Sequence, residues 1–182
     1  MLMKKKFLIQ LVVLSGLLTT VRGNCQRPDF SETCKKEMQK LACLVGDWKG
    51  EARVTTPAGT VTVQQTEHIE WKMNNMLLSI EGIGREAGKD TDSFHALALV
   101  NYDATQQQFK FKSYVKEGFS TDAYFKILEP FKFEWGFDIA TGGKTRYIIT
   151  IDPTKKTWHE SGDYSRDGIT WMKFIDMTLT KL

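Results

Sequence analysis

From Trp48 to the C-terminus, apolar and polar residues alternate along the chain. The alternation falls into ten runs, at 48–56, 60–72, 76–84, 94–102, 107–116, 121–129, 131–139, 144–151, 156–165 and 169–181. A period of two marks a strand with one buried face and one solvated face. Between the runs stand residues that accept positive φ or fix φ for a turn. They are Pro57-Ala58-Gly59, Asn74-Asn75, the stretch 87–93, Asp103-Ala104-Thr105, Glu117-Gly118, Pro130, Thr141-Gly142-Gly143, Asp152-Pro153 and Asp167-Gly168. Only before residue 46 does the period lengthen. Phe30, Cys34, Met38, Leu41 and Val45 recur at steps of three and four, which predicts one helix over 29–45. Asp29 or Ser31 can cap it, and Gly46 ends it.

Ten strands joined by short turns, with no second helix for a crossover, predict an all-β fold. The expected form is an antiparallel up-and-down barrel of about ten strands behind one short N-terminal helix. A sheet that long closes, because open edges invite pairing with other chains. Phe109, Phe111, Ser113 and Val115 share one face of their run, opposite Gln108, Lys110, Lys112 and Lys116. Phe131, Phe133, Trp135, Phe137 and Ile139 do the same opposite Lys132, Glu134 and Asp138, and Tyr147, Ile149 and Ile151 continue the pattern. In a closed barrel the charged face is outside, so the rings point inward. Ten strands enclose more room than eight, whose interior side chains or one small ligand can just fill. An apolar cavity is therefore expected, lined by Phe109, Phe111, Phe125, Phe133, Trp135, Phe137 and Tyr147. The competing expectation is that these rings fill the core.

The remaining features narrow the function classes. A length of 182 residues suits one domain. The net charge is only +3, and no block of Lys and Arg stands in the main body of the chain, which argues against nucleic acid as a partner. Lys4, Lys5 and Lys6 precede a short apolar run over 7–18, with Val21 and Gly23 before a plausible cut. This predicts a signal peptide at 1–23, a lead and helix at 24–45 and the barrel at 46–182, in an exported protein, periplasmic or secreted. The apolar run falls short of the roughly 20 residues of a spanning helix, and no later stretch could span. Lipid anchoring at Cys25 is left open, though Asn24 before it fits such processing poorly. Export permits disulfides. Cys34 and Cys43 would stand about 13 Å apart on one helix, too far to bond, so any pair would involve Cys25. No C-x-x-C spacing suggests a metal site.

Catalytic patterns are absent from the sequence. There is no G-x-S-x-G elbow. The acids Glu67 with Glu70, and Glu160 with Asp163, read as exposed strand residues. Gly82-Ile83-Gly84 precedes no helix and so cannot form a phosphate loop. His68, His95 and His159 lie in separate strands. His68 shares a face with Thr66 and Glu70 and is expected in solvent. His95 lies among apolar residues on both faces, so its direction is undecided. His159 shares a face with Ser161 and Asp163. The chain is read as a protein without enzymatic activity.

Gly46-Asp47-Trp48-Lys49-Gly50, just after the helix, resembles the opening motif of the calycins, the lipocalin and fatty-acid-binding superfamily. With the late hairpin Ser165-Arg166-Asp167-Gly168, it also resembles the bacterial family known as domain of unknown function 1579, over roughly residues 38–182. More distantly, the pattern is similar to nitrobindin-type haem barrels. That likeness implies haem held by a late histidine, for which His159 and His95 are the candidates. Ala52 departs from the haem barrels' last opening glycine, and the final run has no histidine. The leading expectation is a container for a small apolar or amphipathic ligand. The alternatives are a haem barrel with redox or nitrogen-oxide chemistry, and an interaction module with a filled core.

Overall fold

The computed structural model describes residues 27–182. The expected signal peptide and Cys25 lie outside them. Within them runs an α-helix, α1 (Ser31–Met38), continued by a 3-10 helix (Gln39–Leu44). Ten strands follow: β1 (Gly46–Thr56), β2 (Gly59–Lys72), β3 (Leu77–Glu86), β4 (Phe94–Asp103), β5 (Gln108–Val115), β6 (Ser120–Glu129), β7 (Lys132–Gly136), β8 (Lys144–Asp152), β9 (Thr157–Ser165) and β10 (Met172–Lys181). Each pairs antiparallel with its neighbour in sequence, and β1 pairs with β10, so the sheet is a closed up-and-down barrel. No helix among the described residues is long and apolar enough to cross a membrane.

The turns form where the sequence placed them. Gly59, Asn74, Asn75, Gly118, Gly142, Gly143 and Gly168 all have positive φ. Three turns share one device: an aspartate at a strand end accepts the N–H groups two and three residues on. Asp103 does so from Thr105 and Gln106, Asp152 from Thr154 and Lys155, and Asp167 from Ile169 and Thr170. The Asp167 turn also corrects the last run. It takes up the residues before Met172, leaves Ile169 exposed, and delays β10 beyond the expected start at 169.

Two other boundaries differ. The run at 131–139 shrinks to β7, because Phe131 occupies the β6–β7 turn with φ 65° and a half-exposed ring. Gly136 ends the strand, and a methyl group there would collide with the Thr145 carbonyl oxygen. The helix changes type halfway. Met38, Leu41 and Leu44 are all fully buried, and their spacing of three matches the three-residue turn of a 3-10 helix, which aligns them toward the barrel. Phe30, expected on the buried stripe, is largely exposed.

This helical segment closes one end of the barrel. Trp48 is buried beneath it and donates its indole N–H to the Leu44 carbonyl at 2.7 Å, which satisfies a carbonyl that the helix end leaves unpaired. Its ring meets Trp158 edge to face at 5.7 Å. On two strands the inward-facing residues near this floor are far more buried than those at the other end. Along β4, exposure falls from 43% at Phe94 to 7% at Ala98 and 0% at Val100. Along β10 it falls from 58% at Met172 to 6% at Met177 and 0% at Leu179. Solvent therefore reaches the interior from the end opposite the helix.

Closure depends on a close approach of β1 and β10. At Gly50 any Cβ would overlap the Thr178 carbonyl oxygen, so only glycine lets the two strands pair in this register. Gly50→Ala is expected to lower the unfolding free energy by about 1–3 kcal/mol through overpacking. Urea denaturation checks this, and an unchanged midpoint would contradict the tight seam.

Candidate functional site

All seven sequence-predicted lining residues lie in one network of rings across β5 to β8. Phe109 meets Phe125 edge to face at 5.7 Å, and Phe125 stacks with Phe133 at 5.8 Å. Phe111 stacks on Trp135 at 4.9 Å, and Trp135 on Tyr147 at 3.9 Å with planes 4° apart. Phe137, just past the end of β7, completes the series against Trp135 at 6.4 Å. Phe111, Phe125 and Phe133 are buried deep, whereas Trp135, Phe137 and Tyr147 are only partly covered and stand nearer the open end. Such contacts add about 0.5–1.5 kcal/mol each beyond area burial.

The other inward positions are mixed. Ala52 on β1, Gly82 and Gly84 on β3, and Ala96 and Ala98 on β4 are small, whereas β2 sends in Val63, Gln65, Glu67, Ile69 and Trp71, and β3 sends in Leu78 and Ile80.

The sequence reading missed three polar residues inside. Gln65, Glu67 and Glu160 are all buried. The sequence predicts Glu67 and Glu160 exposed, like Glu70 and Asp163. In the structure those two face outward, Glu70 to Lys72 at 2.6 Å and Asp163 to Arg146 at 3.0 Å. The signal was the period of two: Glu67 shares its face with Val63, Ile69 and Trp71, and Glu160 with Trp158. Glycines make room for them. A Cβ on Gly82 would stand 2.7 Å from the Glu67 carboxyl oxygens, and one on Gly84 would stand 2.7 Å from the Gln65 amide oxygen.

The Gln65 amide N–H donates to Glu67 Oε1 at 2.7 Å. Glu160 receives both indoles, Trp135 on Oε1 at 3.0 Å and Trp158 on Oε2 at 3.1 Å. The aromatic stack thereby ends on a carboxylate. Burial is the main force on both acids. It pushes Glu67 up to about 8, partly offset by the Gln65 bond and reinforced by the charge of Glu160. It pushes Glu160 up to about 7 against the two indole bonds. Burial, with Glu160 nearby, also raises the Tyr147 hydroxyl.

The histidines lie elsewhere. His68 pairs with Asp47 at 2.6 Å, His95 with Glu81 at 2.8 Å and His159 with Asp176 at 3.3 Å, all on the outer wall. Strand alternation sends Phe94, Ala96 and Ala98 inward, which turns His95 outward. The haem expectation is corrected accordingly: neither His159 nor His95 reaches the interior, so these residues do not fit an iron held within the barrel. No group of three metal-ligating side chains occurs among the described residues. Cys34 and Cys43 are free thiols. A concavity of about 790 Å³ lies mainly against the outer wall of β3 to β6 and is also lined by Phe109, Phe111 and Phe125. Two of its lysines, Lys112 and Lys126, already pair with Asp122 and Glu134.

Both buried carboxyls bind their protons more tightly folded than unfolded. Their folded pKa values are raised, so the stability that these two acids contribute is fully present below the ordinary carboxylate value near 4.5 and is lost as pH rises through about 8. Thermal melts should show a midpoint that falls over this window, with Glu67→Gln flattening the decline. A midpoint that climbs from pH 5 to 8, with no change in slope in the variant, would contradict the burial of these acids.

No protein-family model matches this chain, so the resemblance to domain of unknown function 1579 gains no support from one. No curated protein matches it either. Among solved structures it is similar to the crystal structure of Rv2717c from M. tuberculosis, with a TM-score of 0.59 at 10% identity, over 80% of this chain and 96% of that one. At this identity the likeness shows the fold alone. The chain folds as an up-and-down barrel of ten antiparallel strands, closed on itself behind one N-terminal helical segment.

Proposed function

We propose that this protein is a non-enzymatic container, exported by its basic-then-apolar leader, that holds an apolar or amphipathic small molecule in its upper interior. One observation carries the reading: the inward rings Phe111, Trp135 and Tyr147 form one stack, of which Trp135 and Tyr147 are only partly covered. A filled core would cover these rings fully. Flat rings left partly covered inside a closed barrel suit a ligand that stacks on them, away from water. The calycin-like fold supports the reading as architecture, since closed barrels of this width enclose space.

Trp135 is the ring at the centre of the stack. Trp135→Ala is expected to retain the β-sheet circular dichroism spectrum. It should weaken binding of the uncharged dye N-phenyl-1-naphthylamine about tenfold, the loss of roughly one stacked aromatic contact. Unchanged dye affinity in a folded variant would remove Trp135 from the site.

A further inference from the structure

The outer wall is not uniform. β1 and β2 turn outward only charged, hydroxyl and amide side chains and one histidine, from Asp47 to Thr55 and from Thr60 to Lys72. On β3 and β4 the alternation instead sends out Leu77, Ile83, Leu97 and Leu99. Tyr114 on β5 pairs with Leu97 and extends this apolar strip, and Leu97 and Tyr114 are 37% and 44% exposed. An aliphatic strip on the solvent side of a sheet, bordered by charges, marks a contact surface. The closed barrel offers no strand edge, so a partner must meet this wall face to face, through side chains.

The two flanks of the strip carry charges of opposite sign. On β5, Lys110 bonds the Gln106 amide oxygen at 2.6 Å and forms no ion pair among the described residues. On β3, Glu81 has His95, at 2.8 Å, as its one ion-pair partner among them. Glu81 stands beside Leu97 and Lys110 beside Asn101, so the two lie on opposite sides of β4, each two residues from the level of Leu99. Strand spacing and rise put their Cα atoms roughly 17 Å apart, too far to pair within the chain. Leu99 marks the midpoint between them, which makes the wall complementary to itself.

We propose that the outer wall of β3 to β5 is the interface of a homodimer, formed with a second copy of this chain about a twofold axis that crosses the wall at Leu99. The axis lies in the plane of contact. It sets Leu99 against Leu99 and carries Lys110 of each copy to Glu81 of the other, so one juxtaposition is used twice. It also turns Leu97 and Tyr114 of each copy toward the concavity over β5 and β6 of the other. The contact leaves the open end of the barrel clear and is independent of what the interior holds.

Sedimentation velocity over a dilution series tests this. The protein should sediment as a dimer that dissociates on dilution, more readily at high salt. Lys110→Glu and Glu81→Lys each set like charges across both contacts and should weaken dimerisation at least about tenfold. The double variant K110E/E81K restores opposite charges in exchanged places and should recover the affinity. Leu99→Lys, an outward change, should leave a monomer with an unaltered β-sheet circular dichroism spectrum. A chain that stays monomeric at every concentration would hand this face to a different protein and overturn the proposal. A dimer that persists equally in the single charge variants, or one that the double variant does not recover, would overturn it as well.

Discussion

The seam between β1 and β10 is the constraint on which the other features depend. Trp48 to Val54 pair with Lys181 to Ile175, and the pairing is possible because Gly50 presents no side chain to the Thr178 carbonyl. Once the seam is shut, every strand has one side that sees only the interior. The period of two then becomes a sorting rule, and a one-residue slip anywhere would turn charges inward and rings outward. The helical segment completes the enclosure at one end only. Trp48 belongs to both devices: it opens the seam strand, and its indole ties the floor to the Leu44 carbonyl.

Enclosure gives the interior groups properties they would lack at the surface. Glu67 and Glu160 would be ordinary strand acids if exposed. Inside, desolvated and paired with no lysine or arginine among the described residues, they hold protons near neutrality. A fold that carries such a pair gives up stability as the acids ionise. The indoles of Trp135 and Trp158 moderate the effect at Glu160 by donating to both its oxygens. At Glu67 the Gln65 amide gives one such bond, and burial with the charge of Glu160 outweighs it. The aromatic stack and the polar pair are thus one unit, joined at the Trp135–Glu160 hydrogen bond.

Most of the architecture was legible in the sequence, because strand alternation and turn chemistry are local. Asn74-Asn75 and Thr141-Gly142-Gly143 adopt the positive φ that their composition suggests, and the seven rings share one face as the period requires. What was not legible depended on distant packing. Phe131 looked like another inward ring, but its backbone bends through the left-handed region to make the β6–β7 turn. The helix tightened at Gln39 because Leu41 and Leu44 had to reach the same floor as Met38. His95 stood between two apolar faces, and only the pairing of β4 with β3 and β5 turned it outward. The buried acids were hidden for a different reason. Glu67 was compared with Glu70, its neighbour in sequence, when the informative neighbours were Val63, Gln65 and Ile69 on its own face. Gly82-Ile83-Gly84 was legible as unusual, but its role is to make room for the side chains of the adjacent strand.

Native mass spectrometry of the protein, purified without detergent, tests the container claim most directly. A single small-molecule adduct that is lost on gentle activation, at one per chain, is the expected result, either as isolated or after addition of N-phenyl-1-naphthylamine. A bare chain mass under both conditions would contradict it and would mean that the aromatic wall serves packing alone.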